Sequence, residues 1–228
     1  MRTTTACPYG VVFDLDGTLV HSVPDLRVAL NRLLSEIGGR AVDDDAVRLM
    51  VGDGVEAFVQ RGLAAAGLPP PADAAVPALV RRFLDLYEAA PAALTRPWPR
   101  AGAALGSLRA EGVRLGVCTN KPTTAAIDLL DQLGLSEFFS GVVGQGSTPF
   151  IKPDPRPLLA TLDAMGVARE RAVMVGDSVN DVQVARNVGI PVILVSFGYT
   201  AVPARELGAD AVIDDFADLA AAVSSLWR

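Results

Sequence analysis

Two carboxylates two residues apart, Asp14 and Asp16, close an apolar run in Val11-Val-Phe-Asp-Leu-Asp-Gly-Thr18. Ionised acids at a buried strand end repel each other and lose hydration, so they need a cation, a proton or strong donors. Asp, Gly and Thr also build ordinary turns, which leaves a surface turn open for the octapeptide alone. Three later segments supply complementary chemistry: Cys118-Thr119-Asn120-Lys121, Ile151-Lys152-Pro153-Asp154-Pro155 and Gly176-Asp177-Ser178-Val179-Asn180-Asp181. They add hydroxyl and amide donors, a cation and two further acids. Four acids converging on one point call for a divalent ion, and oxygen-only ligands favour Mg²⁺ over Zn²⁺. Metal, lysine and backbone amides together make a phosphate site. Singly, each residue has an ordinary reading: Lys152 as a solvated loop residue, Asp177 as a helix cap, Thr119-Asn120 as a turn. The ordered combination carries the chemical reading.

These residues must be delivered by strands. From Ala101 onward the chain alternates helical stretches with short β-rich runs at Arg114 to Thr119, Gly141 to Gly144, Ala172 to Gly176, Val192 to Ser196 and Ala211 to Ile213. Helices of suitable length fit between them at Ala101 to Glu111, Thr123 to Leu133, Pro157 to Met165 and Val179 to Val188. That rhythm predicts right-handed crossovers and a parallel sheet, with the ligand site beyond the strands' carboxyl ends. Asp14, Thr119 and Asp177 all stand at such ends. Residues 20–95 show no strand pattern. Helices are expected at Pro24 to Ile37, Asp44 to Met50, Val55 to Ala66 and Ala75 to Ala90, from three-to-four apolar spacing and Gly or Pro breaks. The expected architecture is a doubly wound parallel α/β, Rossmann-like core of residues 1–19 and 96–228, with an all-helical cap of residues 20–95 inserted after the first strand. Connectors near residues 20–24 and 93–99, the latter carrying Thr95-Arg-Pro-Trp-Pro99, should act as hinges.

A length of 228 residues suits such a core plus insertion. The net charge of −6 disfavours a general electrostatic grip on nucleic acid or anionic lipid. No run approaches a membrane span and the first residues lack a signal-peptide core, which predicts a cytoplasmic protein acting on a small molecule as monomer or homodimer. The two cysteines, Cys7 and Cys118, make no disulfide framework, and Cys118 reads as a small buried hydrophobe.

The motifs Asp14-Leu-Asp-Gly-Thr18, Thr119-Asn120, Lys152-Pro-Asp-Pro155 and Gly176-Asp-Ser-Val-Asn-Asp181 resemble, in this order, those of the haloacid-dehalogenase-like phosphohydrolase superfamily. With Thr95-Arg-Pro-Trp-Pro99, Cys118-Thr-Asn-Lys-Pro122 and Ser196-Phe-Gly-Tyr199, the chain looks most like bacterial phosphoglycolate phosphatases. The resemblance implies a Mg²⁺-dependent phosphatase acting on a small phosphomonoester, with 2-phosphoglycolate the leading candidate. Asp14 would attack phosphorus and carry a transient aspartyl-phosphate. Asp16 would reach the metal through its carbonyl and serve as proton carrier with its carboxyl. Thr119 and Asn120 would bind the phosphoryl oxygens, and Lys152 would neutralise both nucleophile and transferring group. Asp177 would ligate Mg²⁺ directly; Asp181 would do so through water, or would orient Lys152. A phosphosugar mutase of the same superfamily, and a non-catalytic binding module on this scaffold, are the alternatives. His21, where relatives usually carry an acid, reads as a partly exposed loop residue. Arg48 and Arg61, beside a flexible Gly52-Asp53-Gly54, are candidates for a second anionic group or for a solvated helix face.

Overall fold

The computed structural model describes residues 9–89 and 92–227. Six parallel strands form one sheet: β1 (Gly10–Phe13), β4 (Arg114–Pro122), β5 (Phe139–Gln145), β6 (Ala172–Gly176), β7 (Val192–Val195) and β8 (Ala211–Ile213), in the order β5-β4-β1-β6-β7-β8. β1 sits at the centre, Gly10 pairing with Arg114 on one side and Ala172 on the other. Its residues are wholly buried. Alternation divides them: Val11 and Phe13 join Val117, Val175 and Val195 beneath one face, while Val12 joins Cys118, Met174 and Leu194 on the other. A parallel sheet covered on both faces requires such continuous apolar strands. The covering helices are α5 (Ala101–Ala110), α6 (Thr123–Gln132), α7 (Pro155–Met165), α8 (Val179–Val188) and α9 (Leu219–Leu226).

Between β1 and α5 run four helices, α1 (Val23–Glu36), α2 (Asp44–Arg48), α3 (Gly54–Ala65) and α4 (Val76–Glu88). Their apolar faces meet in a separate cluster that includes Leu30, Leu34, Phe58, Leu63 and Phe83. Pro24 opens α1, and the Asp43 carboxylate caps α2 by accepting from the Ala46 amide at 2.9 Å.

Three elements escaped the sequence pattern. Where residues 20–95 read as strandless, β2 (Val20–His21) and β3 (Arg96–Pro97) form a two-residue antiparallel ribbon joining the helical segment to the sheet. Strands this short carry no period. α9 is rich in alanine, and only Leu219 and Val223, one turn apart, are buried on it. Cys118 is a buried free thiol; Cys7 lies outside the described residues. Among the described residues no helix is long and apolar enough to cross a membrane.

The ribbon is pinned by Asp25. Its buried carboxylate accepts from the Leu94 amide (3.0 Å), the Thr95 amide (2.7 Å) and the Thr95 hydroxyl (2.6 Å), so α1 holds both crossings together. Asp25→Ala strands these donors, and we expect a loss of about 2–4 kcal/mol in urea unfolding. Retention of wild-type stability would remove Asp25 from this role.

Candidate active site

At the carboxyl end of β1 the Asp14 amide donates to the Val175 carbonyl (2.9 Å), continuing the ladder one residue beyond the strand and fixing where its side chain emerges. The next residues turn tightly. Gly17 has φ +88°, and a Cβ there would strike the Asp177 carboxylate. Lys152 reaches in from the loop before α7, its ammonium 2.9 Å from Asp14 Oδ1 and 2.7 Å from Asp181 Oδ1. Asp14 Oδ1 is buried and, despite the ion pair, receives no hydrogen bond.

Asp177 ends β6. One carboxylate oxygen accepts from the Thr18 hydroxyl (3.0 Å) and the other from the Tyr199 amide (2.6 Å). Asp181 sits at the third position of α8, where its Oδ2 accepts from the Ser178 amide (3.0 Å) and hydroxyl (2.7 Å). A capping box thereby fixes this carboxylate, and its other oxygen is given to Lys152. Asp14, Asp177 and Asp181 bring one oxygen each to within 4.8 Å of one another. Burial pushes Asp14 up to about 6, with Lys152 opposing and Asp181 adding to the rise. Burial, then Asp181 and Asp14, push Asp177 to about 8. Burial works to lower Lys152, but the two carboxylates overcome it and hold the ammonium above its ordinary value.

Three buried acids against one lysine leave two negative charges without a partner. The donors are all oxygen and Asp14 Oδ1 lacks a hydrogen bond, so the set fits a divalent hard cation. Asp14 and Asp177 are the residues of this trio with oxygens able to hold it. Each Asp177 oxygen accepts a single hydrogen bond and keeps a lone pair, whereas Asp181 Oδ2 already accepts three and its Oδ1 is given to the Lys152 ammonium.

Asp16 is not free. Its carboxylate pairs with Lys121 Nζ at 3.2 and 3.3 Å, and both side chains are nearly buried. Lys121 also stands 4.6 Å from the centroid of the Tyr87 ring on α4. Thr119, in the stretch where the β4 ladder loses register after Cys118, lines the same cavity as Asp14 and Asp16. The Asn120 side chain acts as a clasp: its Nδ2 donates to the Lys152 carbonyl (2.9 Å) and the Gly52 carbonyl (2.8 Å), while its Oδ1 accepts from the Lys152 amide (2.8 Å). Asn180 Nδ2 donates to Asp53 Oδ1 at 2.6 Å, a second tie between the sheet's rim and the helical segment. Arg61 pairs with Asp53 and donates to the Met50 carbonyl, which makes it a brace of that loop. Arg48 lies over Tyr199, 5.7 Å from its ring centroid. His21 stacks near Trp98 and shares a 2.9 Å hydrogen bond with the Tyr199 hydroxyl; burial and Arg48 lower its imidazole pKa. Neither arginine nor His21 lines the cavity.

The cavity itself measures about 60 Å³, room for roughly four or five water-sized groups. Its floor is Asp14, Asp16, Thr119, Asn120 and Lys121, and Leu26, Phe58, Phe83 and Leu84 wall it from the helical side. Lys121, Tyr87 and Asn180 were not singled out from sequence. A lysine inside an otherwise buried strand end was a readable sign for Lys121; Tyr87 hides in an amphipathic stripe and Asn180 in a helix start.

A family model described as haloacid dehalogenase-like hydrolase matches residues 10–189. A phosphoglycolate phosphatase of Caulobacter vibrioides is 49% identical over 216 residues, covering 95% of this chain and 91% of its own. One from Rhodospirillum rubrum is 49% identical over 215 residues, covering 93% and 89%. Among solved structures, a predicted phosphoglycolate phosphatase from Haemophilus somnus superposes with a TM-score of 0.88 at 31% identity, covering 94% of this chain and 97% of that one. The family match spans most of the chain and these relatives match it over nearly their full lengths, so the chain belongs to the haloacid dehalogenase-like hydrolase family as an enzyme similar to its phosphoglycolate phosphatases.

Proposed function

We propose that this hydrolase is a Mg²⁺-dependent phosphatase that cleaves 2-phosphoglycolate through a phosphorylated Asp14, with residues 1–19 and 96–228 as catalytic core and 20–95 as cap. The observation that carries the reading is Asp14: a buried carboxylate oxygen, ion-paired to Lys152 but without a hydrogen bond, lining a small cleft beneath the helical segment. The relatives' names support the substrate.

In this reading Asp14 attacks phosphorus, and the alkoxide leaves with a proton from Asp16. Water then attacks the acyl phosphate while Asp16 takes its proton, releasing phosphate and restoring Asp14. Lys152 offsets charge on the nucleophile and the phosphoryl oxygens, held in line by Asp181. Thr119 and the Asn120 backbone bind phosphoryl oxygens. Mg²⁺, held by Asp14, Asp177 and the Asp16 carbonyl, would screen the repulsion between the carboxylate and the phosphate. Asp16 must exchange Lys121 for a proton during the cycle. Clasping of Gly52 by Asn120 closes the cap over the reacting group and keeps bulk water out.

Asp14→Asn should lower phosphate release from 2-phosphoglycolate and from an aryl phosphate by about 10⁴-fold. Survival of even a few per cent would remove the nucleophile, and isomerised sugar phosphate in place of released phosphate would favour a mutase. A second expectation concerns pH. Asp14 and Asp177 rise from 3.8 to about 6 and about 8 on folding, so between those limits the folded chain binds more protons than the unfolded one. Stability of the metal-free protein therefore falls as pH rises from about 4 to 8. Scanning fluorimetry should record that fall, its reduction in Asp177→Asn, and recovery of the melting temperature at pH 8 but little at pH 5 on adding Mg²⁺. A pH-independent response to Mg²⁺ would contradict the assignment.

A further inference from the structure

We infer that Tyr87 of the cap and Lys121 of the core form a subsite for a carboxylate at the far end of the substrate from its phosphoryl group, an inference that rests on the phosphatase reading above. The Tyr87 hydroxyl is buried, with the residue only 4% exposed, and has no hydrogen-bond partner. Burying an unpaired hydroxyl is unfavourable, and here the residue lines the cavity that Asp14 and Asp16 floor. Packing alone would be served by phenylalanine, as at Phe58 and Phe83 beside it.

Lys121 supplies the charge. Its ammonium stands 3.2 Å from Asp16 Oδ2 and 4.6 Å from the Tyr87 ring centroid, so cation and hydroxyl belong to one corner of the cavity. An ammonium has three donors, and the bonds to Asp16 leave capacity for another acceptor. Nothing else there competes for an anion. Asn120 spends its side chain on Gly52 and Lys152, and Leu26, Phe58, Phe83 and Leu84 are apolar. One cation and one hydroxyl donor in an apolar recess suit an anionic oxygen group, and the substrate proposed above carries a carboxylate there. Such a carboxylate would also draw Lys121 away from Asp16, leaving the proton carrier available when a substrate of the right chemistry is bound. Because Tyr87 comes from α4 and Lys121 from β4, the subsite is complete with the cap closed.

The test needs no turnover. 3-Phosphonopropionate retains phosphonate and carboxylate at the spacing of 2-phosphoglycolate without a cleavable P–O–C bond, and propylphosphonate replaces the carboxylate by methyl. Calorimetric titration of both into the wild-type enzyme with Mg²⁺ should show tighter binding of the carboxylate. Tyr87→Phe should reduce that preference about tenfold, with an unchanged or raised melting temperature because the lost hydroxyl has no partner. Absence of a preference in the wild type, or an undiminished preference in Tyr87→Phe, would overturn the subsite. Hydrolysis of 2-phosphoglycolate by the wild type is measured separately, so a protein that prefers the carboxylate yet releases no phosphate would sink the proposed activity and leave the subsite standing.

Discussion

Everything around the site answers one electrostatic constraint: three carboxylates buried together with a single ammonium among them. Left in a low dielectric, such a group favours protonation, as the raised values of Asp14 and Asp177 record. The chain does not remove the difficulty; it distributes it. Asp181 is stabilised by the α8 cap and by Lys152, Asp177 by Thr18 and the Tyr199 amide, and Asp14 Oδ1 is left with an ion pair alone. The least satisfied acid is the one proposed to react. Lys152, shared between Asp14 and Asp181, cannot neutralise both, so negative charge remains for a cation to meet.

Holding such a cluster requires a scaffold that does not relax. β1 lies at the middle of the sheet with both faces covered, and the ladder continues through the Asp14 amide. Close approach does the rest: a side chain at Gly17 or Gly198 would collide with Asp177, so backbone crowds this acid from two loops. Tyr199 links the site to the ribbon that joins the helical segment to the sheet. Its amide binds Asp177, while its hydroxyl accepts from the Ser22 amide at 2.7 Å and meets His21. One residue therefore senses both an acid of the cluster and the entry to α1.

The strands that end in acids were legible because a buried parallel strand is a run of apolar residues, and its end is marked by the first polar one. That is why β6 and α8 occupy the residues the pattern assigned, and why Asp14, Thr119, Asp177 and Asp181 could be named as a set. What sequence did not supply was the pairing of side chains across long separations. Lys121 meets Asp16 over 105 positions and Asn120 meets Gly52 over 68, and no local period encodes either. Asp25 in α1 reads as a first-turn acid, yet its carboxylate serves residues 69 and 70 positions away. Arg48 and Arg61 show the converse: both were eligible by charge, and packing turned them to Tyr199 and Asp53.

Asn120 shows how closure and chemistry are joined. A single side chain binds the backbone of Lys152 on both its amide and its carbonyl, and with its remaining donor hydrogen holds the Gly52 carbonyl of the helical segment. The amide has few groups to spare, so opening the segment removes one partner of the clasp that positions the lysine. Asn180 repeats the tie a few residues away through Asp53, and Gln145 adds a longer contact from its Oε1 to the Val55 amide at 3.4 Å. These bonds are individually modest, on the order of 1 kcal/mol net each. A handful of them is small against the backbone freedom a loop regains when such ties break. On the reading proposed above, these amide ties at the rim would let the helical segment open for product and still rebuild the same geometry around Lys152.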